Sequence, residues 1–278
     1  MERRCEGLAW LHGVSGRGFD FSKGEVNLTV MQFHYIKHMF RSLVYPGLDL
    51  HTRSRASLKQ FWQRGPREVL DAGSGNGYFS WLAYQSGARV VALNVNPAQI
   101  EKAREYFLGH RKADPGRLSF EQCNLYDLPK EIRTFDEIIC FEVLEHLIRD
   151  GEVVKEFYRI LRPGGMLHLC CPNSLHPRHR AEVLDHNEEG GHVRAGYTEE
   201  DYRELLVPLG FEIERVVGIG PHSVYTADKI MRFIRSCAGD WLALPLLPFA
   251  LPFVWTARLN PATPFSLYVT AVKPARLP

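Results

Sequence analysis

The chain has no cysteine pair at metal or redox spacing. Its six cysteines (Cys5, Cys123, Cys140, Cys170, Cys171 and Cys237) form no C-x-x-C, and several sit inside apolar runs. That argues against a zinc ribbon or a disulfide scaffold and for buried, reduced thiols in a cytoplasmic protein. A dominant charge is also missing. Thirty-four Lys and Arg against thirty-two Asp and Glu leave +2, so bulk charge gives no reason to expect a nucleic-acid partner. The start, MERRCEGLAWLHGVSG, has basic residues, but its apolar run is too short for a signal peptide. There is no internal repeat and no low-complexity tract, and 45% hydrophobic with 24% charged residues is ordinary globular composition. One apolar run nears membrane length: residues 241–257, WLALPLLPFALPFVWTA, are uncharged. Pro245, Pro248 and Pro252 interrupt it, and each removes a helical hydrogen bond. The expectation is a buried flap, or a segment making a peripheral membrane or oligomer contact, rather than a span.

From residue 67 onward, apolar strands alternate with helical patterns. Strands are expected at 67–73, 89–94, 117–123, 134–142, 166–172, 211–219 and 265–274. Asn96 caps a helix with Pro97 at its first position, and Gln99 stands where a capping box would close. A further helix over about 150–161 stops at Arg162-Pro163-Gly164-Gly165, read as a tight turn, and Thr198 caps another. Strands separated by helices at this spacing imply parallel βαβ units with right-handed crossovers. The fold class expected is therefore α/β: a Rossmann-like, doubly wound, mostly parallel seven-stranded sheet. An N-terminal helical cap (1–66) precedes the sheet domain (67–278), with insertions at about 174–197 and 220–262, the latter before the last strand. Residues 26–45 read as an amphipathic helix or two, where the aromatic face around His34 and His38 favours a packed or cap role over metal binding. Between Lys37 and Arg67 there are seven basic residues and one acid, Asp49, read first as a solvated face and second as a cap over an anionic or lipid head group.

Val69-Leu-Asp-Ala-Gly-Ser-Gly-Asn-Gly77 carries the chemistry. Glycines 73, 75 and 77 follow a strand and precede a helix, which lets the backbone turn tightly and approach a ligand. Asp71 stands before them at the strand's carboxyl end. The spacing differs from the dinucleotide G-x-G-x-x-G. An acid would repel a pyrophosphate but suits a ligand with a cationic amino acid portion.

VLDAGSGNG, the PAQIEKARE helix, FDEIICFEVLEHL, LRPGGMLHL and GYTEEDYRELLVPLGFEIE occur in that order. Together they resemble the successive motifs of class I S-adenosylmethionine-dependent methyltransferases over about residues 67–219, and Phe265–Lys273 resembles the family's last strand. The resemblance implies that Asp71 and the backbone of Gly73, Gly75 and Gly77 hold the methionine portion of S-adenosylmethionine. The family's ribose-gripping acid falls on Asn94. Its acid near the adenine falls on Asn124, followed by Leu125. Both are amides here, and a neutral acceptor is weaker than a carboxylate. Glu142, at the carboxyl end of the fourth strand, would line the cofactor site.

The E-x-x-E-H spacing of Glu142, Glu145 and His146 also resembles metal-binding methyltransferases of ubiquinone synthesis and of small-RNA 2′-O-methylation. There a divalent ion lowers a hydroxyl's pKa. The metal-free arrangement is preferred, and no residue is assigned as a metal ligand. His176, His179 and His186 read as solvated loop residues. His192 lies in GGHVRAGYT, which resembles a segment of methyltransferases of cell-surface glycan clusters. It joins His146 as a candidate general base, imidazole being suited to neutral pH. The function implied is methylation, chiefly of a hydroxyl, on a small or lipid-linked molecule, by a cytoplasmic chain that can sit at a membrane periphery. The alternatives are a non-catalytic scaffold on the same fold and an RNA methyltransferase.

Overall fold

The computed structural model describes residues 50–275 apart from 182, 189 and 256. The helix expected at 26–45, with His34 and His38, and Cys5 lie outside the described residues. Seven strands form one sheet: β1 (Glu68–Ala72), β2 (Arg89–Asn94), β3 (Leu118–Gln122), β4 (Phe135–Phe141), β5 (Leu161–Pro172), β6 (Glu212–Ile219) and β7 (Ser266–Val272). Their order is β3-β2-β1-β4-β5-β7-β6. The pairings from β3 through β5 are parallel, and β7 runs antiparallel to both neighbours. The expected α/β class and mostly parallel seven-stranded sheet are what the chain adopts. Because the order reverses beside β1, the carboxyl ends of β1 and β4 flank a crevice, the usual ligand position in open α/β sheets.

The described helices are α1 (Leu50–Arg55), α2 (Tyr78–Gln85), α3 (Pro97–Ala103), α4 (Asp150–Ile160), the short α5 (Pro177–Arg180), α6 (Glu199–Leu206), α7 (His222–Ala243) and α8 (Leu247–Trp255). Val153, Val154 and Phe157 of α4 and Tyr202 and Leu206 of α6 bury one sheet face. Ala83, Ile100 and Ala103 of α2 and α3, with Leu58 and Trp62, bury the other. A third cluster joins Leu50 to Val224, Ala227, Met231, Leu247 and Ala250. It packs α1 against the α7–α8 hairpin.

Local chemistry explains most boundaries. Asn96 Oδ1 accepts from the Ala98 and Gln99 amides, and Thr198 and Asp201 form a reciprocal capping box. Three expectations are corrected. Gln99 closes no capping box: its Oε1 accepts from Asn94 Nδ2 at 2.8 Å, while the Asn96 amide donates to Asn94 Oδ1. Arg162–Gly165 is not a free turn but an irregular start of β5. Leu161 already pairs with Phe135, and the Gly164 amide and Gly165 carbonyl bond Lys273 of the flanking chain. Residues 241–255 are helical rather than broken by the prolines. Pro245 lies in a 3-10 turn, Pro248 sits in the first turn of α8 where its missing N–H has no intrahelical role, and only Pro252 is interior.

Candidate active site

The glycine loop begins where β1 ends. The Gly73 and Ser74 amides both donate to Leu93 O, at 2.9 and 2.8 Å, and so tie the loop to β2. All three glycines have left-handed φ, but they serve different ends. A Cβ on Gly73 would come 2.3 Å from Val143 Cγ2, and one on Gly77 would meet the Phe120 and Phe107 rings at 2.7 and 2.8 Å. A Cβ on Gly75 would meet nothing within 4 Å. Gly73 and Gly77 are therefore close-packing positions, and Gly75 is where the loop presents bare backbone to open space. That cradle fits an elongated ligand laid over the loop.

Asp71 is buried beneath it and accepts from Ser80 Oγ at 2.5 Å. Burial raises its pKa to about 6, against the opposing hydrogen bonds of Ser80. A cationic ligand above it would favour the ionised form.

Asn94 is also buried, and both ends of its amide are used. Nδ2 donates to Gly75 O at 3.2 Å and to Gln99 Oε1, while Oδ1 accepts from the Asn96 amide at 3.0 Å. A carboxylate here could not donate to the loop. The amide therefore has a local reason of its own: it holds Gly75 to the start of α3. Asn124 is exposed and caps the turn at Leu125–Asp127 through its Oδ1. The Leu125 side chain lies in the sheet core.

Glu142 follows β4 with φ +56, a strained value for a non-glycine residue. Its Oε1 pairs with Arg55 Nη2 at 2.9 Å, and Arg55 Nη2 also donates to Ser266 Oγ at 3.1 Å. Arg55 is buried, which corrects the solvated reading of the basic stretch at this position. Arg67 is buried too, against Glu137, whose carboxyl also faces His168. Sequence reasoning missed Arg55 as a site residue, and the only available signal was the basic run from Lys37 to Arg67. His176 and His179, expected to be solvated, are buried at 7% and 4% exposure. Their rings pack on Phe265 with centroids 5.1 and 4.5 Å away. His51 stacks on the same ring, and its Nε2 is 3.6 Å from Asp228 of α7. His186 is exposed.

The structure brings the two proposed catalytic histidines together, with the His146 and His192 ring centroids 4.7 Å apart. His146 Nδ1 lies 2.8 Å from Gly191 O. A carbonyl can only accept, so Nδ1 carries the proton and Nε2 is the basic nitrogen of the neutral ring. Nε2 lies 4.0 Å from Glu145 Oε1. Glu145 is fully buried, and that burial, with the charge of Glu142, holds its carboxyl well above the usual range. Glu145, His146 and His192 lie close enough together to share an ion. Glu142, which the E-x-x-E-H spacing would enlist, is turned instead to Arg55.

The mostly parallel sheet with its antiparallel β7, the glycine cradle after β1 and the acid beneath it define a class I methyltransferase fold. Residues 70–169 match the model of the methyltransferase domain family. The chain is 38% identical over 101 residues to methyltransferase GfsG of Streptomyces halstedii, covering 36% of each protein. It is 33% identical over 102 residues to erythromycin 3″-O-methyltransferase of Saccharopolyspora erythraea, covering 36% of this chain and 33% of that one. The solved structure of phosphoethanolamine N-methyltransferase 2 of Haemonchus contortus, with phosphomonomethylethanolamine and S-adenosylhomocysteine, shares the fold at a TM-score of 0.55 and 16% identity. That match covers 80% of this chain and 52% of that one. Residues 70–169 thus carry a methyltransferase domain, and the chain is similar to S-adenosylmethionine-dependent methyltransferases in sequence and fold. It spans about half or less of the length of the first curated relatives it matches.

Proposed function

We propose that this chain transfers a methyl group from S-adenosylmethionine to a hydroxyl oxygen of a small or lipid-linked molecule. The observation that supports the reading is the His146–Gly191 hydrogen bond, which leaves Nε2 as the basic nitrogen of an imidazole just past the carboxyl end of β4. This edge adjoins the cradle, because Val143, three residues earlier, packs on Gly73. The erythromycin 3″-O-methyltransferase match is consistent with a hydroxyl acceptor.

S-adenosylmethionine supplies, when bound, an electrophilic methyl on a sulfonium sulfur. The chain's residues do the rest. Asp71 and the Gly75 backbone seat the amino acid portion, and Asn94 keeps the loop in place. His146 Nε2 would accept the acceptor's hydroxyl proton, and Gly191 O would stabilise the resulting imidazolium through the Nδ1 hydrogen. His192 packs edge-on and fixes the ring plane. General base catalysis of this kind contributes roughly 10²–10⁴ in rate.

The test uses S-adenosylmethionine carrying a deuterated methyl group, incubated with the chain and hydroxylated acceptors. Mass spectrometry should find the label as an ether. His146→Ala should lose about 10²–10⁴ in rate while binding S-adenosylhomocysteine nearly as the parent does. Label on nitrogen, or a fully active His146→Ala, would sink the proposal.

A further inference from the structure

The α7–α8 hairpin carries more apolar surface than the fold uses. Its inward residues, Val224, Ala227 and Met231 of α7 with Leu247 and Ala250 of α8, are buried against Leu50 and Ala243. Outward, Ile230 and Phe233 are 54% and 67% exposed, Phe249 and Trp255 are 76% and 74% exposed, and Leu246 and Phe253 join them. Single exposed apolar residues are ordinary, but four large aromatics on one hairpin mark an interaction surface.

Charge identifies the partner. Residues 220–262 contain Lys229, Arg232, Arg235 and Arg258 against two acids, Asp228 and Asp240. Asp228 is buried beneath the hairpin, where it accepts the Leu50 amide and pairs with Arg232. Lys229 is exposed beside Ile230, and Arg258 is exposed three residues beyond Trp255. Aromatic rings flanked by basic side chains are what the anionic face of a bilayer takes up. A second copy meeting this face across a two-fold axis would set these cations against their own counterparts. At nine residues, α8 is roughly 14 Å long, far short of the ~30 Å hydrocarbon core, and α7 is broken by a non-helical Gly239 (φ +75), so the hairpin suits the interface and not a span. No described helix is long and apolar enough to cross a membrane.

We propose that the outer faces of α7 and α8 dock this chain on an anionic lipid bilayer. The first turn of α7 sits at the rim of the acceptor side, with the Tyr225 and His176 rings near Phe265. Docking there presents a lipid-linked acceptor to the site, and this last point rests on the function proposed above.

The test is co-sedimentation of the full chain with phosphatidylcholine vesicles, with and without phosphatidylglycerol, and with no acceptor present. The chain should pellet with the mixed vesicles and far less with phosphatidylcholine alone. Removing Lys229 and Arg258 together (Lys229→Ala with Arg258→Ala) should weaken binding about 25-fold, from about 1 kcal/mol per basic residue. Phe249→Ser with Trp255→Ser should weaken it at least as much. S-adenosylhomocysteine titration of the same samples reports separately on the methyltransferase site. Failure of the parent chain to pellet while it still binds S-adenosylhomocysteine would overturn the docking proposal alone. So would unchanged binding by both double variants, or sedimentation showing that Phe249→Ser with Trp255→Ser abolishes a dimer instead.

Discussion

Replacing Asn94 by Asp separates what the family resemblance implies from what this loop requires. The resemblance places an acid here to grip ribose, so Asn94→Asp would be expected to strengthen cofactor binding. The structure says otherwise. The substitution keeps the acceptor that takes the Asn96 amide, but it sets a second carboxylate oxygen against Gly75 O, where Nδ2 now donates at 3.2 Å. Gln99 can rotate its amide and donate to the new oxygen, because only its Oε1 is engaged by Asn94. The Gly75 carbonyl has no such remedy. A buried acceptor deprived of its partner costs about 1–3 kcal/mol, and the charge-assisted bonds from Asn96 and Gln99 return part of it. A net cost of roughly 1–2 kcal/mol corresponds to a fall in Tm of about 2–8 °C for a domain of this size. If the loop must be re-formed on binding, S-adenosylhomocysteine affinity falls about 5–30-fold. Thermal unfolding by circular dichroism and calorimetric titration read the two effects. Gln99→Ala added to Asn94→Asp should cost more than the sum of the singles, since it removes the rescuing donor. An unchanged Tm with tighter S-adenosylhomocysteine binding would refute the reasoning and show that the Asn94 donor is not what holds Gly75.

The remaining predictions concern the same crevice. Asp71 has a folded pKa of about 6 against an ordinary 3.8. It therefore binds its proton more tightly when folded, and the stability this brings is present below its ordinary value and lost as pH rises through about 6. At neutral pH the ionised form costs the apo protein about 3 kcal/mol. Asp71→Asn should flatten the stability–pH curve across that window, and S-adenosylhomocysteine affinity in the parent should rise with pH through about 6; a flat parent profile would contradict the assignment. Arg55→Met leaves Glu142 without its guanidinium and should cost about 1–3 kcal/mol, discounted because Glu142 is partly exposed. Glu142→Gln in the same chain should recover part of that loss in urea unfolding. Gly73→Ala should lower Tm by several degrees, because its Cβ meets Val143. Gly75→Val should instead cost about 1–2 kcal/mol in backbone strain and lose about tenfold or more in S-adenosylhomocysteine affinity. Equal stability losses with unchanged affinity would dissolve the distinction between the two glycines.

Fold class, strand positions and the cradle were legible because each rests on short-range rules. Continuous apolar runs mark buried parallel strands, Asn96-Pro97 and Thr198 start helices through local hydrogen bonds, and the glycine spacing is tied to a turn that few other residues can make. The limits of that reading were also local. Gln99 stands at capping-box spacing, yet its oxygen goes to Asn94, a partner set by the loop between β2 and α3. The three prolines argued for a broken run, but two of them occupy positions where a helix or 3-10 turn does not need their N–H.

What the sequence by itself determined is the α/β sheet, its carboxyl-edge crevice and the glycine cradle of Gly73, Gly75 and Gly77 over Asp71. Their physics is contained within a few residues of chain. The tertiary structure alone decided which side chains meet around that crevice. Arg55 meets Glu142 and Ser266 across 87 and 211 positions, and His146 meets Gly191 across 45. His51, from before the first strand, and His176 and His179, from between β5 and β6, converge on Phe265. None of these pairings has a local signature, because side-chain periodicity reports which face of an element is buried and not what is folded against it. Charge and imidazole spacing therefore suggested candidates, and only the packing of α1, α7 and the chain at Gly191 and His192 selected among them.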